Sequence, residues 1–259
     1  MLKRALPIAL CLMLPLCAQA QSSLGIQSFS GELSYGTTDR GQTIASADAQ
    51  IGVNITEVHG LQLDIGLADT GTIVAGTLGA HLYMQPVASQ KYGLFASLTD
   101  ADEFSVQYVN AGIEGRIAVS PATTVEARFG IGGTTGMGGT ATDQWDYVFA
   151  GAGVLHNLTD TMTLTARVDI AEFDEGPFSA IGLDSQLRLS HSPRGSNFEL
   201  WGELRNASLY GQNAAPAITS VGLGVTLNLG NAGESLIDRP FQNADPLDQL
   251  ISRGIVRLY

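Results

Sequence analysis

The stretch "SADAQIGVNITEVHGLQLDIGLAD", Ser46 to Asp69, decides how the rest of the chain is read. Ala47, Ala49, Ile51, Val53 and Ile55 alternate with Ser46, Asp48, Gln50, Gly52 and Asn54. After a short break, Leu61, Leu63, Ile65 and Leu67 alternate with Gly60, Gln62, Asp64 and Gly66. Successive side chains leave a strand on opposite faces, so strict alternation predicts two strands, each with one apolar and one polar face. A soluble barrel and a membrane barrel share this pattern and read it in opposite directions.

Working outward, the alternation runs almost to residue 229. It predicts twelve strands, near 26–36, 44–56, 59–69, 72–86, 89–99, 104–119, 123–133, 144–157, 160–172, 178–191, 196–209 and 217–229. In the ninth, Met162, Leu164, Ala166, Val168 and Ile170 alternate with Thr161, Thr163, Thr165, Arg167 and Asp169. The eighth, "WDYVFAGAGVL", is apolar on both faces, and its inward side stays open. Connections after even strands read as tight turns, such as "SPRG" (Ser192–Gly195), which suits a type I turn. Those after odd strands include the longest loops, "GTTDRGQT", "GTTGMGGTATD" and "YGQNAAPA", and the acidic clusters "TDADE" and "EFDEG".

The chain begins with Lys3 and Arg4, a short apolar run from Ala5 to Leu16, and Ala18-Gln19-Ala20. That is the pattern of a secretory signal over residues 1–20, with cleavage expected before Gln21. Both cysteines, Cys11 and Cys17, lie inside it, so the exported chain uses no disulfides. Its 239 residues suit one large all-β domain. With Lys3 and Arg4 removed, 11 basic side chains stand against 25 acidic ones, a formal charge of −14. Nucleic acid, which needs a basic face, is excluded as a partner.

Three features turn the apolar faces toward lipid. The strands are longer than the 5–6 residues usual in soluble proteins, and a tilted membrane strand needs about 9–11. Only one lysine, Lys91, follows the signal, whereas soluble β proteins place lysine along exposed edges. Twelve strands closed with apolar faces inward would also leave a wide dry cavity, since about eight already give an interior that side chains fill. The expected fold is therefore all-β: a closed antiparallel transmembrane barrel of about twelve strands, ten or eight being the smaller alternatives.

On these features residues 21–229 resemble a bacterial outer-membrane β-barrel of the small, porin-like kind. Such barrels end in a strand with Gly, two residues, then alternating hydrophobic residues. "GVTLNL" (Gly224–Leu229) has that spacing, without the usual aromatics and with thirty residues after it. The resemblance implies an outer-membrane location in a Gram-negative envelope, contact with outer-membrane lipid, insertion by the outer-membrane assembly machinery, and passage of small polar solutes. It leaves the oligomeric state open. An aromatic girdle is expected from Phe29, Tyr35, Tyr92, Phe104, Phe129, Trp145 and Phe198. Residues 230–259 are expected to form a periplasmic tail. In it, Asp245 as N-cap, Pro246 at the first turn and Gly254 as C-cap predict a short helix.

The charged residues on the inward faces are the candidate pore lining: Glu114, Arg116, Glu126, Arg128, Arg167, Asp169, Asp184, Arg188, Glu199, Glu203 and Arg205, together with His81. Turn positions predict that Glu114 faces Arg128, Arg116 faces Glu126, Arg188 faces Glu199 and Arg167 reaches Asp184. Charges aimed into a narrow lumen need such partners. The set reads either as a charged constriction that selects solutes or as a salt-bridged plug. No cofactor or metal site is expected: "GIGGTTGMGG" lacks the Lys-Ser/Thr ending of a phosphate loop, and "TDADE" reads as a solvated acidic loop. Catalysis is not expected either. "HSPRGSN" resembles a lipid A deacylase motif, but with the wrong spacing. An outer-membrane hydrolase and a soluble periplasmic barrel remain the alternatives to a narrow, weakly cation-preferring channel.

Overall fold

The structure is a computed structural model that describes residues 25–71, 73–101, 106–135, 144–175, 178–233 and 235–243. The signal expected over residues 1–20, the helix expected after Asp245, and the loop residues Phe104, Asp102, Glu103 and Asp143 fall outside these ranges. Twelve strands form in chain order: β1 (Ile26–Thr38), β2 (Thr43–Asn54), β3 (His59–Asp69), β4 (Val74–Val87), β5 (Gln90–Ala101), β6 (Val106–Ser120), β7 (Thr123–Thr135), β8 (Gln144–Thr159), β9 (Met162–Glu175), β10 (Phe178–His191), β11 (Phe198–Gly211) and β12 (Ala215–Gly230). Each pairs antiparallel with its sequence neighbours, and β12 pairs with β1 from Ser28↔Gly230 to Thr38↔Ser220. The sheet is thus a closed barrel, which leaves no unpaired edge.

Burial fixes which face is which. Along β3, Gln62 and Asp64 are 2% and 3% exposed, whereas Leu63 and Ile65 are 45% and 54% exposed. The polar residues point inward and the apolar ones outward, the inverse of a soluble protein. The outward belt runs round the barrel through Leu78, Leu94, Ile113, Ile131, Val168, Leu187, Leu204 and Leu223. Tyr35, Tyr92, Phe129 and Phe198 of the expected girdle stand exposed on it, while Phe29 is half-buried.

The eighth strand resolves by packing. Val148 and Val154 face outward, while Tyr147, Phe149 and Leu155 are buried inside. With Phe95, Tyr108, Phe173, Leu209 and Ile218, Tyr147 and Phe149 build an apolar cluster toward the end where β5 meets β6 and β7 meets β8. Tyr147 lies 5.3 Å from Phe173 and 6.1 Å from Phe149, ring centre to ring centre. The rings of Tyr147 and Phe149 lie over Gly132 and Gly130 of β7, where a Cβ would collide with them.

Two expectations about the connections change. The strands continue through most of the "EFDEG" segment, so β9 and β10 are separated only by residues 176–177. "SPRG", by contrast, sits in a six-residue link, 192–197. Its turn runs from Pro193 to Ser196, closed by the Ser196 N–H on the Pro193 carbonyl at 3.0 Å. Gly195 occupies the third position with φ +70°, a conformation that glycine adopts without strain and that marks a type II turn.

The chain does not leave the barrel after β12. Gly230, at φ +65°, places its α-carbon against the Gln27 backbone, where any side chain would collide. A short 3-10 turn, Asn231–Gly233, follows. The next described residues, 235–243, fold back into the lumen, with Leu236, Ile237 and Phe241 buried. Residues 235–243 of the expected tail therefore lie against the inner wall of the barrel.

Candidate functional site: the charged lumen and the segment inside it

At the β3–β6 side of the lumen, His81 is fully buried between two carboxylates. Its Nε2 lies 2.8 Å from Asp64 and its Nδ1 2.6 Å from Glu114. The Gln62 amide also donates to Asp64 at 2.8 Å. Both imidazole nitrogens are engaged, so neither is left for a substrate.

The next group spans β6 to β9. Arg116 binds Glu126 at 2.9 Å, in the register the sequence predicts. Arg167 binds the other oxygen of Glu126. Glu114 and Arg128 also lie opposite one another as predicted, but their side chains part: Glu114 goes to His81, and Arg128 to Asp169 at 2.7 Å.

Two predicted pairs are corrected. Arg188 lies opposite Glu203, not Glu199, because the longer 192–197 link moves the register of β11. Arg188 binds Glu203 at 2.9 Å and Glu32 at 2.9 Å, and its guanidinium sits 3.8 Å over the Trp201 ring. Trp201 in turn donates to Thr226, which donates to Glu32. Arg167 lies opposite Gln186, and Asp184 opposite Asp169. Two carboxylates facing one another repel, and here each takes an arginine: Arg128 of β7, reaching across β8, for Asp169, and Arg205 of the adjacent β11 for Asp184 at 3.3 Å. Arg205 also meets Glu203.

The C-terminal segment is held by these same walls. Arg116 donates to the carbonyls of Arg239 at 2.5 Å and Pro240 at 2.9 Å. Lys91 reaches the Arg239 carbonyl at 3.4 Å. Gln62 brackets Phe241, accepting from its N–H at 2.9 Å and donating to its carbonyl at 2.8 Å. Arg128 reaches the carbonyls of Gln242 and Asn243, and Arg167 the Gln242 side-chain oxygen. Glu199 holds Arg239 at 2.8 Å, and Gln85 holds Asp238 at 3.1 Å. The Phe241 ring stacks on His81 at 5.8 Å and 15° and lies beneath Lys91 and Arg116.

Sequence reasoning places all twelve candidate side chains inside the barrel and misses what they hold. It also passes over Trp201 and Phe241. The one available signal for the last is an aromatic residue in an otherwise polar stretch, "IDRPFQN".

The segment leaves part of the lumen open. A cavity of about 280 Å³ remains toward β1, β2 and β10–β12. Five carboxylates line it, Glu32, Asp48, Asp169, Asp184 and Glu203, against four guanidiniums, Arg128, Arg167, Arg188 and Arg205.

No family model matches this chain, and no curated protein does. Solved structures do. The NanC porin aligns at a TM-score of 0.61 and 7% identity, over 77% of this chain and 100% of that one. An outer membrane channel from Pseudomonas putida F1 aligns at 0.56 and 10%, over 80% and 96%. The KdgM porin, in complex with disordered oligogalacturonate, aligns at 0.53 and 13%, over 76% and 98%. At such identities the likeness concerns the fold, and the chain has the fold of the small outer-membrane β-barrels of the porin-like kind.

Proposed function

We propose that this protein is a narrow outer-membrane channel for small polar solutes, weakly cation-preferring, with its own C-terminal segment seated in the lumen. The observation that carries the reading is the cavity beside that segment. It carries fixed charges of both signs and lies inside a barrel whose outer face is apolar. Lipid is then the partner of the outer face, and "GVTLNL" in β12 is the strand offered to the assembly machinery.

The cation preference follows from the balance of charge. Five carboxylates against four guanidiniums line the cavity. The described residues at the end away from the start of β1 add Asp39, Asp69, Asp100, Asp146, Glu172 and Asp174 against Arg40. A mouth of one sign concentrates solutes of the other. A hydrolase finds little support: His81 is sealed under Phe241 with both nitrogens bonded to carboxylates.

The test is a planar-bilayer recording of the purified full chain across a salt gradient. Small discrete steps with a reversal potential on the cation side are expected, the preference fading as salt rises. A silent protein, or one with clear anion preference, would refute the reading.

A further inference from the structure

The segment in the lumen is held in an unusual way. Four cations on β5–β9 contact it: Lys91, Arg116, Arg128 and Arg167. Among the described residues their ion pairs reach only two carboxylates, Glu126, shared by Arg116 and Arg167, and Asp169. Lys91, 3% exposed, has no ion pair among the described residues. With Glu114 of β6 counted as well as Glu126 and Asp169, these four cations exceed the carboxylates beside them on this wall by one. Their remaining N–H groups go to neutral oxygens: the backbone carbonyls of residues 239, 240, 242 and 243 and the Gln242 amide. The segment's own carboxylate, Asp238, lies near Lys91 but makes no direct ion pair with these cations. Asp238 is bound by Gln85 and Ser235 instead. The nearby acids Asp64 and Glu114 are occupied by His81.

We infer that this wall is a binding strip for small multivalent oxyanions, which the C-terminal segment occupies as a neutral stand-in, and that such an anion competes with the segment for its seat. A charge-assisted hydrogen bond is roughly twice as strong as a neutral one. The guanidinium fork matches carboxylate and phosphate oxygens two at a time. Opposing this, the segment is tethered, and a short tether gives an effective concentration of order millimolar. A monovalent anion cannot overcome that tether, whereas a multivalent one at similar concentration can. The inference gives the proposed channel a ligand-dependent opening, in which an anion unseats the segment from a lumen that otherwise prefers cations, and so rests on that reading. Its test uses no current, so either can fail without the other.

The test uses the purified full chain without its signal, which contains no cysteine. Asn243→Cys puts one thiol on the segment, where Asn243 lies against Gly79, and keeps the backbone carbonyl that Arg128 binds. The rate of labelling by a neutral maleimide reports how often the segment leaves its seat. Millimolar citrate or pyrophosphate should raise that rate several-fold over sodium chloride of equal ionic strength, and sucrose should not. A response to citrate alone would assign the strip to carboxylates, and to pyrophosphate alone, to phosphates. Lys91→Met strands no carboxylate, so the barrel should survive, checked by its heat-dependent migration. In that variant, and in Arg128→Gln, the ratio of rates with and without citrate should fall toward one. Labelling no faster than in the salt control, or a ratio unchanged in both variants, would overturn the inference.

Discussion

Replacing Phe241 by alanine should unseat the C-terminal segment while leaving the barrel whole. The ring is 3% exposed, stacks on His81, meets Tyr83 edge-on at 6.2 Å, and lies under Lys91 and Arg116 at 4.6 and 4.9 Å. Removing a buried phenylalanine side chain costs about 3–5 kcal/mol. Here the lost burial is worth about 2–3 kcal/mol. One aromatic pair and one cation–π contact add about 1 kcal/mol together, at the lower end of their ranges. Water can fill part of the vacated lumen, so we take about 3 kcal/mol for the seated state. That is about a hundredfold in the seating equilibrium, at 1.4 kcal/mol per decade. The backbone bonds to Gln62 survive the substitution, which limits the effect to the ring. If seating exchanges quickly, the labelling rate of Asn243→Cys follows the unseated fraction. In the Phe241→Ala background it should rise by about that factor, with the heat-modifiable gel shift of the barrel unchanged. An unchanged labelling rate would mean that the ring does not hold the segment, and the seat described above would be wrong.

Three further outcomes follow from the same geometry. Ile65→Arg puts a charge on the lipid face and should cost about 2–4 kcal/mol in unfolding from lipid vesicles, whereas Ser46→Arg, facing the cavity, should cost far less; equal costs would mean the faces are reversed. A double-mutant cycle in stability should couple Arg188 to Glu203 and not to Glu199, because Glu199 holds Arg239; removing Arg188 alone should cost up to about 3 kcal/mol, mainly by leaving Glu32 without a cation, since Glu203 keeps Arg205. Replacing Arg116 and Arg128 together by glutamine should strengthen the cation preference, read as a larger reversal potential at low salt, and should destabilise the protein by leaving Asp169 without its arginine; a shift toward anions would contradict the charge balance assigned to the lumen.

Much of the fold is legible in the sequence because a barrel wall repeats one rule. Period-two alternation gives the twelve strands, and β3 and β10 match their expected bounds at both ends. The inversion of faces follows from strand length and the missing lysines. Local turns set register well where the link is tight: the two-residue connection at Pro121 puts Glu114 and Arg116 opposite Arg128 and Glu126. Where the link is longer, the reading fails. "SPRG" suggested a tight turn, but the turn begins one residue later, with Gly195 at positive φ inside a six-residue link, and Arg188 meets Glu203. The paired faces of β8 were undecidable because the lumen holds an apolar cluster as well as charges, so polarity does not mark its inward side. The seat of residues 235–243 was not legible at all. It depends on backbone carbonyls meeting arginines from distant strands, and carbonyls leave no trace in residue type.

The most direct test of a channel with its own segment inside it is a comparison of single-channel currents from the full chain and from a chain ending at Gly230. β12 pairs with β11 as far as Leu227 and with β1 as far as Gly230, opposite Ser28, so the shorter chain retains every strand of the barrel. The account predicts small, weakly cation-preferring steps from the full chain. It predicts larger steps from the shortened one, with the reversal potential moved toward anions as Lys91, Arg116, Arg128 and Arg167 lose their carbonyl partners. Equal conductance and selectivity in the two chains, or silence from both once insertion is verified, would contradict it.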